Sequence, residues 1–88
     1  MNKIIDTVKE LAAPIAQKHG CELVETEYIK EGGNWFLRVY IDRAEGVSIE
    51  NCEAVSRDMD SLLDEREDLF EHGYTFEVSS AGWLRRKQ

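Results

Sequence analysis

The chain has 88 residues, 42% of them hydrophobic, which is enough for one small core and not for two domains. Its 11 basic against 18 acidic residues give a net charge of -7, which argues against direct nucleic-acid binding by the body of the domain, since neutralising phosphates needs a Lys/Arg surface. No stretch approaches the ~20 apolar residues of a membrane span, so no membrane association and a cytoplasmic location are expected.

Such an acidic domain is drawn to basic partners, among which ribosomal and other RNA-binding proteins are the commonest intracellular class. The same charge also keeps a small domain soluble without any partner. Met1 to Pro14 lacks the apolar run of a secretory signal, and two cysteines make at most one disulfide.

Ile4, Ile5, Val8, Leu11, Ala12, Ile15 and Ala16 mark a first helix from about Lys3 to His19. Pro14 lies inside it and removes one backbone donor, so a kink or a break is expected there. Gly20 is a natural residue to follow the helix end, and Lys18 and His19 suit the negative end of its dipole. From Cys21 to Lys30 the period changes to two, with Val24, Thr26 and Tyr28 on one side and Glu25 and Glu27 on the other. Gly32-Gly33-Asn34 supplies the positive-φ residues of a hairpin turn. Trp35 to Asp42 is the return strand, with Trp35, Leu37, Val39 and Ile41 on one face and Phe36, Arg38 and Tyr40 on the other. Bulk on both faces suggests a central strand or a partly covered second face.

Ala44-Glu45-Gly46 turns the chain into a second helix that ends near Leu63 or Asp64. Ser48 is its expected N-cap, and Val47 with Cys52 its hydrophobic staple. Ile49, Cys52, Val55, Met59 and Leu62 or Leu63 recur at the period of one apolar face, with Glu50, Glu53, Arg57, Asp58 and Asp60 opposite. From Asp58 to Glu71 there are seven acids and one base, Arg66. Several lie at or beyond the helix C-terminus, where the dipole disfavours negative charge. Such a cluster suits a partner, although solvated loops commonly carry runs of this kind. Leu69 and Phe70 are expected to pin this loop to the core edge. Tyr74, Phe76 and Val78 alternate with Thr75 and Glu77 in a third strand.

The order is therefore helix, strand, strand, helix, strand. The expected fold class is α+β, a two-layer α/β sandwich with a three-stranded mixed sheet and both helices on one face. A right-handed crossover through the second helix makes the third strand parallel to the second. Pattern alone leaves open whether it pairs with the second strand or lies beside the first; the latter is the expectation.

The stretches Glu22-Leu23-Val24-Glu25-Thr26-Glu27-Tyr28, Lys30-Glu31-Gly32-Gly33, Leu37-Arg38-Val39-Tyr40-Ile41-Asp42, Gly46-Val47-Ser48, Cys52-Glu53, Val55-Ser56-Arg57 and Glu77-Val78-Ser79-Ser80 follow one another along the chain. Together they resemble the N-terminal domain of the bacterial ribosome maturation factor family RimP. No single stretch is diagnostic, but the series runs in the family's order over nearly the whole chain. The resemblance implies a non-enzymatic factor that binds the immature small ribosomal subunit and helps a basic ribosomal protein take its place. It also implies an α/β domain over residues 1–82, with 83–88 as a tail or the start of a linker. The small SH3-like barrel that follows in the family is expected to be absent from this chain. Where the family usually continues Ser-Ser-Pro-Gly-Leu-Asp-Arg-Pro-Leu, this chain reads Ser79-Ser80-Ala81-Gly82-Trp83-Leu84-Arg85-Arg86-Lys87-Gln88. Arg85 keeps its place, but both prolines and the aspartate are gone.

Candidate chemistry is thin. Cys21, Cys52, His19 and His72 total four zinc ligands, but only His19 and Cys21 are close in sequence, so no metal and no cofactor are expected. Ser79-Ser80 lacks a nucleophile elbow, and abundant carboxylates are not thereby paired, so no enzyme activity is expected. The expected contact surface is acidic: Glu50, Glu53, Arg57, Asp58, Asp60, Asp64, Glu65, Glu67 and Asp68, presented by a monomer to a basic ribosomal protein or the immature subunit. The alternative is a KH-like or RRM-like RNA-binding module using Phe36, Arg38 and Tyr40 with the basic tail Arg85, Arg86 and Lys87. The Gly-x-x-Gly loop of KH domains does not occur, and Glu25, Glu27 and Glu77 share the sheet face that RNA would need. Taking the three tail charges away lowers the bases from 11 to 8 against 18 acids, net -10.

Overall fold

A computed structural model describes residues 3–82. The elements are α1 (Lys3–Lys18), β1 (Glu22–Glu31), β2 (Asn34–Asp42), α2 (Ile49–Asp64), a single 3₁₀ turn (Glu67–Leu69) and β3 (Tyr74–Ser80). This is the α+β arrangement expected, with two helices and a three-stranded mixed sheet.

Local chemistry accounts for most of the boundaries. α1 ends in a Schellman motif: the Cys21 amide donates to the Ala16 carbonyl at 2.8 Å and the Gly20 amide to that of Gln17 at 3.0 Å. That geometry needs a residue at positive φ, and Gly20 has φ +75°. α2 starts at a capping box in which the Asn51 amide donates to Ser48 Oγ (3.1 Å) and the Ser48 amide donates back to Asn51 Oδ1 (2.9 Å). The hairpin turn has positive φ at Gly32 and Gly33 alone, as a type I′ turn requires. Asn34 is the first residue of β2 instead, paired with Glu31. The break expected at Pro14 does not occur. α1 runs through it, and Pro14 lies on the exposed side, where the carbonyl left without a donor is open to water.

Leu37, Val39 and Ile41 alternate along β2 and are fully buried against Val8, Ala12, Ile15 and Ala16 of α1 and Val55, Met59 and Leu63 of α2. Both helices therefore cover the same face of the sheet. Each valine, leucine, isoleucine or methionine among them contributes about 1.5–3 kcal/mol when fully buried. Thr26, facing the same core, is buried with its Oγ1 unpartnered.

Three expectations need correction. The strand order is β1-β2-β3, so β3 pairs with β2, in parallel, and does not lie beside β1. α1 packs on β1 and α2 on β3. With α1 occupying one half of the sheet, the crossover through α2 covers the other half and delivers β3 to the free side of β2. Next, the β1–β2 register shifts between Leu23 and Glu25. This bulge turns Val24 outward, 44% exposed, and leaves Leu23 packed against the core in its place. Finally, Ile49 lies outside the apolar face of α2 and is 77% exposed. It is the first helical residue, a full turn before Cys52 and Val55 reach the sheet.

Candidate functional site

The two faces of the sheet differ in what covers them. On the face away from the helices, register sets Glu27, Arg38 and Glu77 in one row across all three strands. Arg38 Nε donates to Glu77 Oε1 at 2.7 Å, and its terminal nitrogen donates to Glu31 Oε1 at 3.1 Å. Its guanidinium carbon lies 4.7 Å from the Phe36 ring centroid. Glu77 and then Glu31 raise the Arg38 pKa, so this cation stays charged at any accessible pH. The Tyr40 hydroxyl donates to Glu27 Oε1 at 2.8 Å. Burial, with Glu27 adding to it, pushes that hydroxyl up to about 12. Arg38 thus ties β1, β2 and β3 together, and Tyr40 is 1% exposed.

This is where the structure places Phe36, Arg38 and Tyr40: inside an internal network, with the guanidinium over the Phe36 ring. Arg85, Arg86 and Lys87 lie outside the described residues.

The acids of α2 are set differently. Glu50, Glu53, Asp60 and Asp64 follow one another at steps of three, seven and four, with Arg57 between, and all five are exposed. Glu65 caps the helix C-terminus and is exposed, as are Glu67 and Asp68 in the 3₁₀ turn. No basic residue occupies the last turn of α2 to offset its dipole. Among the described residues, Glu50, Glu53, Asp60, Asp64, Glu65 and Glu67 enter no ion pair, while Asp68 makes a long one to Arg66 (3.8 Å). Burial raises the pKa of the Tyr74 hydroxyl, followed by Asp64 and Asp60, with Glu67 contributing less. Those carboxylates therefore gather near the start of β3.

Asp58 does not belong with them. It turns towards the end of α1, where Oδ2 lies 2.8 Å from His19 Nε2 and accepts from Lys18 Nζ at 3.2 Å. His19, then Lys18, hold its carboxyl below the usual range. Asp58 joins α2 to α1.

The four possible zinc ligands are scattered. His19 is engaged by Asp58, whereas His72 stacks on Trp35 with centroids 5.3 Å apart. The Cys21 thiol is buried and donates to the His19 carbonyl at 3.6 Å. Burial, then Cys21, pushes the Cys52 thiol up, which makes it a poor nucleophile. Among the described residues no group of His, Cys, Asp or Glu is arranged to hold a metal.

Sequence reasoning missed one cluster, at the hairpin end of the sheet. Trp35 stacks on Tyr28 at 4.7 Å, and Phe70 packs on both Tyr28 (5.7 Å) and Tyr74 (4.3 Å). Phe70 thereby pins the loop after α2. The shared inward parity of Tyr28, Trp35 and Tyr74 was the available signal. No helix among the described residues is long and apolar enough to cross a membrane. A family model, described as the RimP N-terminal domain, matches residues 11–83.

Proposed function

Since the chain belongs to the RimP N-terminal domain family, whose role is ribosome maturation at the small subunit, we propose that it is a non-enzymatic, cytoplasmic assembly domain that engages a basic ribosomal protein or the immature subunit through the acidic outer face of α2 and the following turn. One observation carries this reading: Glu50, Glu53, Asp60, Asp64, Glu65 and Glu67 are exposed and have no ion-pair partner among the described residues. Exposed, unpaired carboxylates attract and steer lysine- and arginine-rich surfaces, and salt screens that attraction. RNA binding through Phe36, Arg38 and Tyr40 draws less support, because those side chains are committed to Glu27, Glu31, Glu77 and one another.

The test is binding of the 88-residue chain to purified small-subunit proteins and to naked ribosomal RNA across a salt series. Salt-sensitive binding to a basic protein is expected, with none to RNA. Reversing Glu53, Asp60, Asp64 and Glu67 to lysine should weaken it at least about tenfold. Unchanged binding after the reversals, or binding to RNA alone, sinks the acidic-face reading.

A further inference from the structure

The sheet has two edges, and they are not alike. The β1 edge is interrupted by the bulge at Val24 and studded with Glu22, Glu25, Glu27, Lys30 and Glu31, devices that discourage another strand from pairing there. A 3.5 Å ion pair between Lys9 and Glu25 adds to them. β3 has none of these. It pairs with β2 in unbroken register from Tyr74 to Ser80, contains neither proline nor lysine, and has one charge, Glu77, which Arg38 holds on the open face. Among the described residues nothing pairs with its outer side, and no residue of β3 is fully buried. Along these seven residues of sheet edge, every second one turns its main-chain N–H and C=O to the open side.

What lies beside that edge selects an occupant. A groove between α2 and β3 is lined by Cys52, Glu53, Ser56, Arg57, Asp60 and Val78. Arg57 leaves the groove net negative, and Asp64 and Glu67 add charge near Tyr74, at the start of the strand. An extended segment laid along β3 projects alternate side chains to one face, so every second residue points towards α2.

We propose that the β3 edge accepts an extended, lysine- or arginine-bearing segment of a protein partner by strand addition, with the basic side chains turned towards Glu53, Asp60 and Asp64. Main-chain bonds to β3 supply affinity, and the carboxylates of α2 select a basic sequence and set its facing. A second copy of the chain is a poor occupant, since it brings the same acids to the same edge and each chain has a net charge of -7. The inference rests on the acidic-face reading above for the charge of the partner and adds the mode of binding.

The experiment uses two ten-residue peptides of alternating lysine and threonine, one of them N-methylated at every residue. The two have equal charge, and the second has no backbone donor. The unmodified peptide should bind the 88-residue chain and slow hydrogen exchange at amides within Tyr74–Ser80. Full methylation should weaken binding at least about tenfold. If both peptides bind alike, or the slowed amides belong to β1, strand addition at β3 is wrong and the acidic-face reading survives. If neither peptide binds while a basic small-subunit protein does, strand addition again fails alone. Failure of that protein to bind as well overturns both readings. Concentration-dependent dimerisation that slows β3 exchange without any peptide assigns the edge to a second copy and overturns the proposal.

Discussion

On the open face of the sheet Glu27, Glu31 and Glu77 each have a partner, Tyr40 or Arg38, whereas Glu53, Asp60 and Asp64 on the outer face of α2 have no ion pair among the described residues. The first group is held by partners that are largely out of water, Tyr40 at 1% exposure and the Arg38 side chain at 16%; the second has only water around it. A buried or half-buried charge must be compensated inside the molecule, because leaving it unpaired costs several times what pairing returns. An exposed charge faces no such demand and stays available to something outside. The contrast separates two kinds of acid that look the same in composition: those that hold strands together and those free to meet a partner.

The sharpest way to break that contrast is Arg38→Ala. It removes the side chain on β2 that bonds a glutamate on each of the two neighbouring strands, Glu31 on β1 and Glu77 on β3. The expected loss is about 2 kcal/mol of stability, read from the urea midpoint, after allowing for the partial exposure of Glu77. A loss below about 0.5 kcal/mol would place the Arg38 pairs with ordinary surface ion pairs.

A smaller effect is expected from Tyr40→Phe, which deletes the hydrogen bond to Glu27 at a cost of about 1 kcal/mol. The same bond gives a signature in alkali. Because the folded hydroxyl titrates at about 12 and an unfolded tyrosine near 10, its contribution is complete below pH ~10 and disappears as the pH rises through 12. Ultraviolet titration should lose the component near pH 12 in the variant and keep the raised titrations of Tyr28 and Tyr74.

The smallest effect has the opposite sign. Asp64→Asn removes a negative charge from the last turn of α2, where the dipole opposes it, and should raise stability by a few tenths of a kcal/mol. Should Asp64→Asn lower stability, this acid has an internal role and belongs with the paired group.

How much of this was legible in the sequence depended on how local each determinant is. Ser48, Gly20 and the Gly32-Gly33 pair announce their structures because cap and turn geometry is set within a few residues. The inward face of β2 was legible for the same reason, since Leu37, Val39 and Ile41 repeat at the period of a strand. Strand order was not, because it depends on which half of the sheet α1 leaves free. The bulge that exchanges Val24 for Leu23 likewise arises from pairing with β2 and has no residue signature of its own. At the candidate site, the exposed acids of α2 followed from helical period. Asp58 did not, since its partners, Lys18 and His19, stand about forty positions away and meet it only once α1 and α2 pack.

The parallel pairing of β2 with β3 also fixes an order of events. β1 and β2 meet across a two-glycine turn, and hairpins of that kind close in roughly 1–10 μs. β3 finds its place only after α2 has crossed the sheet, and the bond it makes to Arg38 spans 39 residues of chain. The entropy of closing so long a loop must be overcome before those contacts form, so they come late in folding. β3 is therefore the last strand to dock and the first to detach in a partial opening. The strand with the open edge is also the one that leaves most readily, and a segment bound along it would hold the whole sheet closed.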